Sequence, residues 1–122
     1  MVDFKQKEKY DINDLLEIMR LLRAPGGCPW DAQQTHMSIR KNLIEETYEV
    51  IEAIDKDDKE LMTEELGDLL MQVVFHAQME QEAGNFDFGD VTDGVCKKLI
   101  ERHPHVFGEV EVSGVGDVLN NW

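Results

Sequence analysis

Two short acidic blocks are the part of the sequence most able to do chemistry. The blocks EETYE and EELGD lie at positions 45–49 and 64–68, and each has the form acid-acid-x-x-acid. Residues three apart on a helix share a face, so the second and last acids of each block form a side-by-side carboxylate pair. The four residues selected in this way are Glu46, Glu49, Glu65 and Asp68.

If the two blocks pack against each other, their carboxylates repel. Two unit charges about 5 Å apart repel by roughly 3 kcal/mol at an effective dielectric constant near 20. Either some of the acids are then protonated or a cation lies among them. A set of ligands made only of oxygen suits a hard divalent ion, so the blocks predict a Mg²⁺ site that Mn²⁺ could also occupy.

The directions of the acids on their helices support this convergence. At about 100° per residue, Glu46 adjoins the apolar side of the helix that carries the first block, while Glu49 lies further out. On the helix that carries the second block, Glu65 is flanked by apolar residues, and Asp68 lies on the same side. That strip continues to Gln72 and His76, and we expect His76 to act as a hydrogen-bond partner behind the metal ligands.

Other metal and thiol chemistries fit the sequence less well. Di-iron proteins built on helical bundles use Glu-x-x-His ligand motifs, and the sequence contains none. The two cysteines, Cys28 and Cys96, are far apart and form no C-x-x-C pair. We therefore expect reduced thiols without a catalytic role.

Two cations fall on the apolar side of a later helix. Lys98 and Arg102 share the face that Val91, Val95 and Leu99 define. Snorkelling side chains or ordinary salt bridges to the acids would explain this placement. The functional alternative is a clamp on phosphate oxygens, with Arg102 as a bidentate donor and Lys98 as a point charge.

The segments that carry these residues are predicted to be helices. Apolar periodicity and capping residues predict helices over about 12–23, 36–56, 59–83 and 90–103. Strand signals are weak, and the segment 110–121 is ambiguous. The sequence therefore predicts an all-α fold, an antiparallel bundle of about four helices, in a single domain over residues 1–122.

Composition narrows the class of function. The formal net charge of −14 disfavours nucleic-acid binding, which needs a basic surface. No apolar run approaches the roughly 20 residues of a membrane span, and the polar N-terminus does not resemble a signal peptide, so we expect a cytoplasmic location. The sequence reaches Trp122 without a helix stop, which would suit a domain cut from a longer protein.

With these features in place, the sequence resembles the MazG-type nucleoside triphosphate pyrophosphohydrolases. The likeness extends over about residues 15–122 and depends on the joint order and spacing of several motifs. These are GCPWD at 27–31, QTH at 34–36, the two acidic blocks, VVFHA at 73–77 and KLIERHPHVFG at 98–108.

The resemblance implies a fold, an activity and a set of site residues. It implies an all-α NTP pyrophosphatase fold that works as a homodimer or a higher homo-oligomer, and hydrolysis of nucleoside triphosphates to the monophosphate and pyrophosphate. It implies that Mg²⁺ is held by the second and last acids of each block, which are Glu46, Glu49, Glu65 and Asp68. It further implies that Lys98 and Arg102 contact the triphosphate, and that Trp30 and Trp122 approach the nucleotide.

Two other functions remain open at this stage. One is a relative with narrower substrate choice, such as a dCTP, dUTP or phosphoribosyl-ATP pyrophosphohydrolase. The other is a non-catalytic helical domain that binds nucleotide or a protein partner without turnover. All four acids and both cations are present, which favours catalysis.

Overall fold

The structure is a computed structural model that describes residues 1–109, 114–116 and 119. Within these ranges the regular structure is helical and contains no strand, which confirms the predicted all-α class. The helices are α1 (Ile12–Arg23), α2 (Pro29–Gln33), α3 (His36–Asp55), α4 (Lys59–Ala83), α5 (Phe88–Glu101) and α6 (Pro104–Phe107). None of the described helices is both long and apolar enough to cross a membrane.

Side-chain caps begin the three long helices that form the core. Asp11, Thr35 and Asp58 each accept a hydrogen bond from a backbone N–H in the first turn of α1, α3 and α4. Such a bond satisfies a donor that the helix itself leaves unpaired. At the other end of α4, Gly84 adopts a left-handed conformation with a φ of 79°, which glycine tolerates without strain. The predicted starts of these three helices are confirmed.

Helices α1, α3 and α4 enclose one hydrophobic core. Its buried members are Met19 of α1, Ile39 of α3 and three residues of α4, and the half-buried Leu15, Leu16 and Phe88 pack against them. The α4 members are Val74, Phe75 and Met79. Helix α4 contacts both α1 and α3, so it is the central element of this part of the chain.

The chain divides into two compact units, Met1–Phe88 and Gly89–Trp122. The first contains α1 to α4, and the second contains α6 and all of α5 beyond its first residue. The fourth predicted helix begins two residues earlier than expected and ends at Glu101. The short helices α2 and α6 were not predicted, because segments of five and four residues are too short to show helical periodicity.

Candidate metal centre between α3 and α4

Three carboxylates from two helices form the candidate site. Glu46 lies on α3, and Glu65 and Asp68 lie on α4. One carboxylate oxygen from each residue lies within 4.8 Å of those from the other two, and all three residues are half-buried. The structure therefore brings together three of the four acids that the sequence selected.

A tight reversal between α3 and α4 creates this convergence. Asp57 takes a φ of 51°, and its backbone N–H and that of Asp58 donate to the carbonyls of Ile54 and Ala53, at 3.0 and 3.1 Å. The two helices then run antiparallel. Consequently the middle of α3, which carries Glu46, lies opposite the first turns of α4.

Burial and mutual repulsion raise the pKa of two of these acids. For Glu46, burial is the largest cause, followed by the charges of Asp68 and Glu49. Burial also raises the pKa of Glu65, followed by the charges of Glu49, Asp68 and Glu46. Both shifts mean that the site resists holding several negative charges without a compensating cation.

One carboxylate oxygen of the cluster is buried without a partner. The Oε2 atom of Glu46 is buried and has no hydrogen-bond partner. A buried, unpaired carboxylate oxygen is costly, because it has lost its water and gained no donor. A divalent cation that prefers oxygen ligands satisfies such an atom and offsets the repulsion among the three acids. These residues therefore fit a hard metal ion.

The fourth predicted ligand, Glu49, lies apart from the group of three. It lies one helical turn beyond Glu46 on α3, and its side chain is exposed. Its charge nevertheless contributes to the raised pKa of both Glu46 and Glu65. Glu49 is thus placed at the solvent side of the site, close enough to act on it electrostatically.

The residues expected to bind the nucleotide are distributed over the chain. Trp30 lies on α2, is 57% exposed, and its carbonyl accepts a 2.8 Å hydrogen bond from Gln34 Nε2. Lys98 and Arg102 are exposed in the second unit, where the Arg102 backbone N–H donates to the Lys98 carbonyl at 3.0 Å. The prediction for Trp122 falls outside the described residues.

The expected role of His76 is not what the structure shows. Its Nδ1 atom lies 2.7 Å from Nδ1 of His36, and no hydrogen bond joins it to a carboxylate of the cluster. His36 in turn contacts Glu80 through Nε2, at 2.6 Å. Sequence reasoning missed this pair because the two histidines are 40 positions apart, and only the packing of α3 on α4 joins them.

Comparison with known proteins finds a family match over the part of the chain that contains the candidate site. The model of the MazG nucleotide pyrophosphohydrolase domain matches residues 34–107, which include both acidic blocks, Lys98 and Arg102. A crystal structure of a MazG-related protein from Thermotoga maritima superimposes with a TM-score of 0.73 at 30% sequence identity. That alignment covers 91% of this chain and 95% of the other.

Curated relatives agree at the level of sequence. The nucleoside triphosphate pyrophosphohydrolase/pyrophosphatase MazG of Thermotoga maritima is 56% identical over 79% of this chain and 38% of its own length. The nucleoside triphosphate pyrophosphohydrolase of Escherichia coli is 50% identical over 91% of this chain and 43% of its own length. An uncharacterized protein of Bacillus subtilis, YabN, is 49% identical over 93% of this chain and 23% of its own length.

This chain spans less than half the length of each of these curated relatives. The family match nevertheless includes all of α3 and α4 and the three clustered carboxylates. Sequence, fold and domain match point to one family, and the chain belongs to the MazG nucleotide pyrophosphohydrolase domain family.

Proposed function

We propose that the protein hydrolyses nucleoside triphosphates to the nucleoside monophosphate and pyrophosphate in a magnesium-dependent reaction. The observation that carries the proposal is the convergence of Glu46, Glu65 and Asp68, with a buried and unpartnered carboxylate oxygen among them. A triphosphate carries several negative charges and cannot approach such a cluster alone. A divalent ion held by the acids would remove that barrier.

The three carboxylates would hold Mg²⁺, with Mn²⁺ as a substitute and Glu49 as a further ligand from the solvent side. When bound, the ion supplies positive charge that neutralises phosphate oxygens and orients the triphosphate. A water oxygen forms the new bond to the α-phosphorus, and the bridging oxygen departs with pyrophosphate. A carboxylate of the site accepts the proton that this water loses.

Other residues of this chain are proposed to bind the nucleotide. Lys98 and Arg102 would bind phosphate oxygens, Arg102 through a bidentate contact that its planar guanidinium favours. Trp30 offers an exposed aromatic face on which a nucleobase can stack. Trp122 would approach the nucleotide as well. No covalent intermediate is needed, because water is the nucleophile.

The working form that we propose is a homodimer or a higher homo-oligomer. Helix α3 carries a groove of about 420 Å³ whose lining includes Ile44, Tyr48 and Ile51. Ile44 is 56% and Tyr48 67% exposed in the single chain. Contiguous apolar surface of this kind is typical of an interface between proteins. A second copy of the chain would cover it.

Product analysis tests the proposed reaction. We expect that incubation with Mg²⁺ and a nucleoside triphosphate releases monophosphate and pyrophosphate in equal amounts. The Glu65→Gln variant should lose at least about 100-fold in rate, because it removes a charge from the metal site while keeping the side chain's size. Glu52→Gln is the matched control, since Glu52 lies on α3 and pairs with Lys56 at the surface.

Three results would contradict the proposal. Release of diphosphate and phosphate would mean that another bond is cut, and full activity of Glu65→Gln would remove the carboxylate site from the mechanism. If the wild-type protein binds Mg²⁺ and nucleotide in calorimetry without turnover, the domain is a binding module. If the protein does hydrolyse nucleotides, a panel that includes dCTP, dUTP and phosphoribosyl-ATP establishes whether substrate choice is broad or narrow.

A further inference from the structure

A pair of histidines joins the beginning of α3 to α4, away from the carboxylate cluster. His36 is the first residue of α3, and its Nδ1 atom lies 2.7 Å from Nδ1 of His76 on α4. The two ring planes are within 3° of parallel. A nitrogen–nitrogen distance this short is below the separation of face-stacked rings, so the imidazoles meet edge to edge in a direct hydrogen bond.

The geometry fixes how many protons lie between the two rings. With no proton, two nitrogen lone pairs would face each other, and with two protons, two N–H groups would collide. A single proton makes the contact a hydrogen bond. The other nitrogen of His36 contacts the Glu80 carboxylate at 2.6 Å, where it can only be the donor.

The surroundings of the pair oppose a second proton on His76. The Nε2 atom of His76 is buried without a hydrogen-bond partner, so a charged imidazolium there would be poorly solvated. Burial, followed by the charge of His36, lowers the pKa of His76. Hydrogen bonds from Asn85 and then from His36 lower the pKa of Glu80, which keeps that carboxylate ionised.

The other charged groups around the pair are already paired or point to solvent. Arg23 of α1 reaches α4, where its guanidinium is held by Glu82 at 2.9 Å. On α3, Arg40 lies one turn beyond His36 and is exposed. Glu80 is therefore the charged group that acts on the pair most directly.

We propose that His36 and His76 are positioning residues for the carboxylate site, because the proton they share fixes the first turn of α3 to α4 and so holds Glu46 opposite Glu65 and Asp68. The effect on the metal site rests on the proposed function, whereas the shared proton does not. Helix α3 runs unbroken from His36 to Asp55, so a constraint at its first turn is transmitted along its length.

The size of the movement that the pair prevents shows why it matters. A slip of α3 by one helical turn is about 5.4 Å. That distance exceeds the 4.8 Å within which the three carboxylate oxygens now lie. The connection at residues 56–58 holds the other end of α3, and the histidine pair holds its beginning. Both ends must be fixed for the cluster to keep its geometry.

The shared proton is tested first, by NMR on protein labelled with ¹⁵N in histidine and without metal. We expect a scalar coupling between the two Nδ1 nitrogens, and protonation of His76 below the usual pH of an imidazole. His103 and His105 serve as internal controls in the same spectra. Two uncoupled imidazoles that each titrate in one ordinary step would overturn the proposal.

The positioning role is tested by Mg²⁺ calorimetry on variants. His76→Leu removes both the shared proton and the buried unpartnered nitrogen, and should weaken Mg²⁺ binding by about 10-fold. His36→Asn, which keeps a polar group near the Nδ1 position, should weaken Mg²⁺ binding less than His76→Leu does. Glu52→Gln should stay within about twofold of wild type.

A second variant protects the test against misfolding. If His76→Leu does not fold by circular dichroism, His36→Ala takes its place, since His36 is only half-buried. Unchanged Mg²⁺ affinity in a folded variant that has lost the coupling would overturn the positioning role. Wild-type protein that shows the coupling but binds no Mg²⁺ would instead refute the proposed function, so the two failures are distinguishable.

Discussion

At the scale of single residues, the site combines groups that destabilise each other in the absence of a cation. Glu46 and Glu65 both have a raised pKa, caused first by burial and then by neighbouring acids. A raised carboxyl pKa means that the native state binds more protons than the unfolded chain between the two pKa values. Stability from this source is therefore present at low pH and is lost as the pH rises through the folded value.

This loss of stability with rising pH leads to a prediction for the Glu46→Gln variant without metal. The variant should melt at a higher temperature than wild type near pH 8, because it removes an unpaired charge, and the difference should vanish below about pH 4.5. Thermal melts over that pH range measure it. Adding Mg²⁺ at about 100 times its Kd should stabilise wild type by about 2.7 kcal/mol and the variant much less. A gap that widens as the pH falls would contradict this account.

At the scale of elements, the features that depend on local interactions were predictable from the sequence. The caps Asp11 and Thr35 act on backbone groups three residues away, so the starts of α1 and α3 were predictable. The facing directions of Glu46, Glu65 and Asp68 followed from helical periodicity, which is also local. The contact between His36 and His76 depends on the register of α3 against α4, which no short pattern encodes.

Arg23 also makes tertiary contacts that no short sequence pattern encodes. Its guanidinium donates to both oxygens of Glu82 on α4, and to the carbonyls of Asp31 and Gln34 on either side of the α2 C-terminus. It also lies 5.6 Å from the centre of the Phe75 ring. One side chain therefore joins α1, α2 and α4, and holds the short helix that carries Trp30.

We expect Arg23→Ala to lower the free energy of unfolding by about 2–3 kcal/mol, because it leaves polar groups unpaired in a part-buried position. Arg20→Ala is the control on the same helix, since Arg20 makes an exposed pair with Glu17 and should cost less than about 0.5 kcal/mol. Urea unfolding of both variants gives the comparison. Equal losses for the two variants would mean that the contacts of Arg23 add nothing beyond a surface ion pair.

At the scale of the whole molecule, charge and apolar surface oppose each other. The net charge of −14 disfavours self-association, whereas the apolar groove of α3 favours it. Salt screens the repulsion and leaves apolar burial largely intact. The single-domain organisation over residues 1–122 stays a prediction beside the two compact units of the structure.

We therefore expect a dimer whose association strengthens with salt. Ile44→Glu should weaken self-association by more than about 10-fold, because a buried unpaired charge costs over 1.4 kcal/mol. Sedimentation equilibrium at several concentrations measures this. Ile12→Glu, which changes an exposed apolar residue of α1, is the control. A wild-type chain that remains monomeric at high concentration and high salt would contradict the proposed interface.

The most direct test of the metal site is anomalous X-ray scattering from crystals grown with Mn²⁺. We expect a peak among Glu46, Glu65 and Asp68, with metal–oxygen distances of about 2.0–2.2 Å and Oε2 of Glu46 among the ligands. Glu65→Gln crystals grown in the same way should lose most of that peak. A Mn²⁺ peak elsewhere, with the three carboxylates bound to none at saturating metal, would contradict the account.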